Sequence, residues 1–414
     1  MSLKSTRREF LSVLGAASAV TLGVGRAPQW LHAAAEQAAA GPDQRVLVLV
    51  QLAGGNDGLN TVVPYASDDY HRARPGIGIG KGAVLKLDDE FGLHPSLTGL
   101  KELHDAGKLS IVQGVGYPQP DRSHFRSMDI WHSAQPENPT PQDGWLGRTL
   151  EWQLQHHPER AEGLALGMER LPLLLVSRQV NVPVLKRLED YHLNDPQLPS
   201  GLQGKLKSAR DEILSTTGAQ PGGELDFLRK SLRTAVTSSE RLKSLSAGYS
   251  PAKEYPATHL ANQLKLVAQM IGAGLPPRIY LVGLDGFDTH SQQQPGHAAL
   301  LGELGNAIAA FHADLTGHGL ADRVLLSTFS EFGRRVKENG SLGTDHGAAS
   351  SLFVVSPTGT PGFCGKFPSL TDLDDGDQKF TTDFRRVYAT LLDKWLGVRS
   401  AEILGGEYEP LPFA

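Results

Sequence analysis

Five nearly continuous apolar runs constrain this chain most: VLVLVQL at residues 46–52, LSIVQGV at 109–115, RIYLVGL at 278–284, RVLLSTF at 323–329 and LFVVS at 352–356. Each is short and rich in Val, Ile or Leu, the pattern of a strand buried on both faces. Between the third and fourth runs, Leu300, Leu301, Leu304, Ile308, Phe311 and Leu315 recur at three- and four-residue steps, which predicts an amphipathic helix. Residues 258–271 carry a similar stripe leading into the third run. Alternating strands and helices predict an α/β fold, with a mostly parallel central sheet and helices on both faces. A hydrophobic content of 40% fills such a core, and Gly 46 with Pro 26 supplies many tight loops.

In a sheet of this kind, ligands bind where the carboxyl ends of the strands open into a crevice. The segment 283–347 concentrates acidic and imidazole side chains there: GLDGFDTH after the third run, SEFGR after the fourth, and GTDHG in the loop before the fifth. Asp288, His290, Glu331, Asp345 and His346 are the candidate ligands of a divalent metal, with Asp285 an alternative carboxylate. Glu331 has a competing use, as an ion-pair partner of Arg334 or Arg335. After the first run, GGNDGLN offers Asp57 as a further ligand, although Asn and Asp before Gly are also plain turn formers.

RSHFR follows the second run, past a proline-rich bend. If a helix starts there, Ser123 stands at its N-terminus, where backbone N–H groups favour anions. The Ser123 hydroxyl is then a candidate nucleophile, Arg122 or Arg126 a candidate holder of substrate oxygens, and His124 a ligand or hydrogen-bonding partner. The competing use of Ser123 is simply to cap the helix.

The N-terminus carries STRREFL, then an apolar run over residues 11–24 and three alanines at 33–35. A charged start, a short apolar segment and small residues predict an export signal over residues 1–35. The paired arginines before Phe-Leu resemble the twin-arginine type, so the Tat export machinery is the expected partner and the periplasm or the exterior the expected location. The apolar run is too short for a confident membrane span, and stable anchoring is expected only if the signal is uncleaved. The remainder, residues 45–414, reads as one domain with a charged, helical insertion around 158–256. A net charge of −5 gives no electrostatic reason to expect nucleic acid. Cys364 is the single cysteine, so a site built from several thiolates is excluded and any metal is held by oxygen and imidazole. Neither a G-x-S-x-G elbow, an HExxH pair nor a P-loop occurs. The glycine-rich GIGIG at 76–80 lacks the strand-then-helix setting of a nucleotide fingerprint.

The order of these motifs resembles the alkaline phosphatase-like superfamily, over residues 45–397. More closely, GGNDGLNTVVPY, RSHFRSMDIW, GWLGR, GFDTH, TFSEFGRRV and GTDHG resemble an exported bacterial family known only as domain of unknown function 1501. The superfamily resemblance implies a hydrolase of phosphate or sulfate esters using one or two divalent metals. Carried over by position, Asp57 resembles the first-loop ligand, Ser123 the nucleophile, and Asp288 with His290 an Asp…His ligand pair. Glu331 stands where the acid of an Asp-His pair would be, and His346 resembles the late histidine ligand. A late Asp that opens a helix corresponds to TDF at 382–384. Three departures stand out: Ala53 occupies the usual strand-end acid, Phe332 replaces an imidazole, and Asp288 lies only two residues from His290. The C/S-x-P-x-R motif of formylglycine sulfatases is missing around Ser123 and Cys364 alike. Mixed carboxylate and imidazole donors suit zinc or manganese. The rival expectation is a non-catalytic exported protein that keeps the fold to bind a polysaccharide or another envelope protein.

Overall fold

The computed structural model describes residues 45–185 and 249–414. The predicted export signal and most of the predicted helical insertion lie outside these residues. Every apolar run becomes a strand: β1 (Val46–Ala53), β2 (Leu109–Gly116), β4 (Ile279–Asp285), β5 (Val324–Phe329) and β6 (Ser350–Val355). Three further strands, β3 (Gly163–Leu166), β7 (Gly362–Cys364) and β8 (Thr382–Asp383), complete the pattern. In the nine-stranded sheet the order is β7–β2–β6–β5–β1–β4–β3, with a two-residue piece, Val184–Leu185, beyond β3 and with β8 paired to β2.

β1 lies at the centre and runs parallel to both neighbours, with Leu49 opposite Leu281 on one side and Ser327 on the other. β3 is parallel to β4, and β7 and β8 are parallel to β2. β6 runs antiparallel to both β2 and β5. This reversal matters for the site. Because β6 points the other way, the loop that enters it lies at the same sheet edge as the loops that leave β1, β2, β4 and β5.

The sheet is covered on both faces. Leu47 and Leu49 of β1 join a core with α2 (His124–Ser133), α3 (Trp145–His156) and α6 (Phe384–Thr390), through Trp131, Leu146 and Tyr388 among others. The alternate residues Val48 and Val50 are equally buried. α4 (His259–Gly272) packs along β4 and against α5 (Gln293–Gly317), which in turn packs on α1 (Thr98–Asp105). Both helices predicted from apolar stripes are therefore present, α5 extending beyond its stripe at its N-terminal end. Asp383 caps α6 by accepting a hydrogen bond from the Arg385 amide, as the late Asp of the resemblance implies. Among the described residues, no helix is long and apolar enough to cross a membrane.

Candidate metal centre

At the carboxyl edge of the sheet, four loops and the start of α2 meet. Asp288 and His290 follow β4, Glu331 follows β5, His346 precedes β6, and His124 is the first residue of α2. Donor atoms of His124, Asp288 and His346 all lie within 4.8 Å of one another. Asp288 Oδ1 is 3.2 Å from His346 Nε2 and 3.0 Å from His290 Nε2, and the two Nε2 atoms are 2.9 Å apart. Asp288 Oδ2 is 3.5 Å from His124 Nε2.

The far nitrogen of each imidazole has an acceptor behind it. His346 Nδ1 donates to the Arg122 carbonyl at 2.8 Å, a group that can only accept. His124 Nδ1 lies 2.9 Å from Glu331 Oε1, which already accepts the Gly54 amide at 2.8 Å, so His124 is the donor there too. His290 Nδ1 faces Asp345 Oδ1 at 3.5 Å, and that oxygen also accepts from Asn339. The three rings turn Nε2 toward Asp288, and the 2.9 Å His290–His346 and 3.2 Å His346–Asp288 contacts each need a proton or a cation between their atoms. Backing an imidazole's distal N–H with a carboxylate or carbonyl is the arrangement that fixes a metal-binding tautomer. His124, Asp288 and His346 make a donor set that fits a divalent cation, with His290 against Asp288 and His346 beside it.

Asp288 is ionised over the whole physiological range. Burial alone raises its pKa, but hydrogen bonds from Arg334 and His346 and the charge of Arg334 hold it at about 2. Asp345 is lowered chiefly by its hydrogen bond from Asn339. Burial lowers His346, opposed by its bonds to the Arg122 carbonyl and to Asp288.

Phe332 is buried and stacks against two of the rings, at centroid distances of 4.9 Å from His124 and 4.6 Å from His346. Phe332 thus forms the apolar wall on which two imidazoles lean. The wall needs Gly55, since a Cβ there would stand 2.3 Å from the Phe332 ring.

Arg334 has no exposed side-chain surface and bonds Asp288 Oδ1 at 2.8 Å, the Gly55 carbonyl at 2.7 Å, Thr344 at 2.8 Å and Phe287 at 3.0 Å, besides the Gly54 carbonyl. Of the two uses weighed for Glu331, pairing with an arginine is absent: its carboxylate meets His124, Gly54 and Ser330. Asp57 does not join the cluster. Its carboxylate is fully buried against Arg74 at 2.6 Å and Gln293 at 2.5 Å; burial opposes its ionisation, and Arg74 outweighs that and lowers its pKa. Asp285, at the end of β4, is exposed.

Ser123 occupies the N-cap position of α2, as the sequence suggests, but its side chain makes no capping bond and it is exposed. Arg126 donates to the Pro136 carbonyl at 2.7 Å rather than joining the imidazoles. Arg122 is held by Asp377 at 2.7 Å and Asp375 at 3.0 Å. Sequence reasoning missed Phe332, Arg334, Arg74 and Gln293 as parts of the site. Arg74 and Gln293 carry no motif, and Arg334, although within TFSEFGRRV, reads there only as a partner of Glu331; the roles of all three arise from long-range contacts.

Residues 44–356 match the model of a family described as "Protein of unknown function (DUF1501)". No curated protein matches. Among solved structures, the chain is similar to the phosphonate monoester hydrolase of Agrobacterium radiobacter, at 12% identity over 88% of this chain and 78% of that one, with a TM-score of 0.38. It is also similar to the C-terminal periplasmic domain of EcEptC from Escherichia coli, at 11% identity over 89% and 87% with a TM-score of 0.37. A third is the PsFucS1 sulfatase from Pseudoalteromonas sp., at 12% identity over 91% and 71% with a TM-score of 0.38.

Proposed function

The chain belongs to the DUF1501 family, and from that premise we propose that it is an exported, metal-dependent hydrolase of phosphate or sulfate esters. The observation that carries the proposal is the convergence of the His124, His290 and His346 Nε2 atoms on the Asp288 carboxylate, each ring backed at Nδ1. These four side chains would hold the cation, and the imidazole-rich donor set favours zinc or manganese. When bound, such an ion polarises an ester oxygen and lowers the pKa of an attacking hydroxyl.

The chain's own residues supply the rest. Ser123 leaves its hydroxyl unengaged beside His124, at the N-terminus of a ten-residue helix whose first amides favour an anionic ester group. In the proposed attack, the Ser123 oxygen bonds to phosphorus or sulfur as the bond to the ester's alkoxide breaks, the Ser123 proton passes through solvent to that alkoxide, and water then cleaves the seryl ester to release phosphate or sulfate and restore Ser123. Glu331 and Asp345 act behind the ligands, holding His124 and His290, rather than as ligands themselves. Phe332 keeps one wall of the site dry and the rings in place.

A binding protein without catalysis is the second reading. It draws on Arg334, whose guanidinium already neutralises Asp288. Metal analysis and a substrate screen separate the two. The hydrolase reading expects divalent metal in the purified protein, turnover of an aryl phosphate, phosphodiester or aryl sulfate, and loss of both in Asp288→Ala and His346→Ala. Ser123→Ala is expected to keep the metal and lose turnover. Full activity in both ligand variants sinks the site assignment. No bound metal, together with no activation by added zinc or manganese, favours the binding protein.

A further inference from the structure

The buried polar network beneath the imidazoles has its own logic. Gln293, the first residue of α5, is 1% exposed. Its Oε1 accepts from the hydroxyls of Thr289 at 3.1 Å and Thr344 at 2.6 Å, while its Nε2 donates to Asp57 Oδ2 at 2.5 Å. Only this orientation of the amide satisfies all three partners, because hydroxyls donate to the oxygen and a carboxylate can only accept. Thr289 lies between Asp288 and His290, and Thr344 lies two residues before His346. One amide therefore ties together the loops that deliver three of the four inward-facing donors.

The network continues below. Asp57 Oδ2 also accepts from Arg74 Nη1, and Arg74 donates to the carbonyls of Arg335 and Val336, each at 2.9 Å. Those carbonyls belong to the segment that follows Glu331. The loop after β1, the loop after β4, the loop after β5 and the loop before β6 are thus joined through the Arg74–Asp57–Gln293 chain. Asp57 stands outside the group of His124, Asp288 and His346, and its Oδ2 is committed to Arg74 and Gln293.

We propose that Gln293 is a positioning residue for the metal centre, anchored by Asp57 and Arg74 and acting on the ligands through the Thr289 and Thr344 hydroxyls. The inference rests on the metal-binding reading above. Partners bonded directly to the ligands are worth ten- to a hundredfold in metal affinity, and Gln293 stands one step further back, bonded to Thr289 and Thr344 in the loops that carry them.

The test titrates full-length protein with Co2+ and follows both affinity and the visible absorption band, which reports coordination geometry independently of turnover. Thr344→Val removes one hub bond at nearly constant shape, and Thr344→Ser retains it. Gln293→Met removes all three. Expected are Co2+ affinity weaker by about tenfold or more in Thr344→Val and Gln293→Met, an altered band in both, and near wild-type behaviour in Thr344→Ser. In the double variant, the two losses are expected to be non-additive, since both act through one hub. If Gln293→Met fails to fold, the Val and Ser variants at position 344 decide alone. Wild-type affinity and an unchanged band in Thr344→Val overturn the positioning role while leaving the metal reading intact. Failure of the wild type itself to bind Co2+, Zn2+ or Mn2+ overturns the metal reading, and the positioning role with it.

Discussion

Replacing Arg334 by Met tests how much of the site's geometry hangs on one guanidinium. Arg334 is fully buried and serves the carbonyls of Gly54, Gly55, Phe287 and Thr344 together with Asp288. Methionine fills most of the volume but donates nothing. A buried acceptor left without a donor costs about 1–3 kcal/mol. Gly54 is partly exposed and the Asp288 side chain is 48% exposed, so water recovers much of their share. The Phe287 carbonyl keeps the Thr289 amide as donor, so the buried Gly55 and Thr344 carbonyls carry the loss, at about 3 kcal/mol. For a domain of this size, that loss is a fall in Tm of roughly 4 °C. Lysine retains the charge but offers a single point of donation in place of the planar fork, so Arg334→Lys is expected to recover less than half of it. The same substitution frees Asp288. With Arg334 gone, its carboxyl rises from about 2 toward the ordinary carboxylate range. Urea unfolding measures the first effect, and the Asp288 carboxyl resonance followed against pH measures the second. Stability of Arg334→Met within about 0.5 kcal/mol of wild type, the range of an ordinary surface substitution, refutes the clamp. An Asp288 titration still at about 2 in that variant refutes the electrostatic account.

Three further outcomes follow from the same contacts. His297 is 1% exposed, and burial holds its pKa at about 4, against 6.5 for the free side chain. The unfolded chain therefore binds the extra proton between those values. This share of stability is complete above pH 6.5 and is lost as pH falls to about 4, at about 3 kcal/mol. Unfolding curves at pH 7 and pH 4.5 show the drop, and His297→Gln flattens it; a slope unchanged by that substitution contradicts the assignment. Gly54 has φ +117°, and an added Cβ would stand 2.4 Å from the Asp288 amide nitrogen. Gly54→Ala is thus expected to cost about 2 kcal/mol or more, with displaced Asp288 chemical shifts; a Tm matching wild type argues against it. Glu331→Gln retains an acceptor for His124 but removes its charge, so metal affinity is expected to fall ten- to a hundredfold with the fold intact. An undiminished affinity shows that Glu331 does nothing for His124.

The parts of this fold legible in the sequence are those written in local pattern. Residues 46–52 and 323–329 are mostly apolar because both faces of β1 and β5 are covered, and the stripe from Leu300 to Leu315 shows the side of α5 that packs inward. β7 and β8 left no such trace. They are three and two residues long and exist through pairing with β2, a partner more than 240 positions away. The same division runs through the site. That Asp288, His290 and Glu331 would meet at one sheet edge follows from their places after strands, whereas His346, which precedes β6, joins them only because β6 runs antiparallel, a reversal no local pattern announces. Which of them would face inward does not follow from those places. Asp57 and Asp288 both stand in glycine-flanked loops after strands, yet one is 1% exposed and committed to Arg74, while the other looks into the imidazoles. The difference is made by Arg74 and Gln293, 17 and 236 positions from Asp57.

The Glu331–Phe332 pair sets the character of the proposed centre. Glu331 is turned to the Gly54 amide and to His124 Nδ1, so its charge reaches the cluster through an imidazole supplied by α2. Phe332 packs on the His124 and His346 rings. The imidazoles come from His346, from His124, which the sequence places only beside a serine, and from His290, two residues from Asp288. A centre of three imidazoles and one carboxylate carries less negative charge than one built on several aspartates. It is correspondingly suited to one borderline-soft cation rather than to a pair of hard ones. A metal content nearer two than one per chain, at saturating zinc, is the result that would undo this reading of the pair.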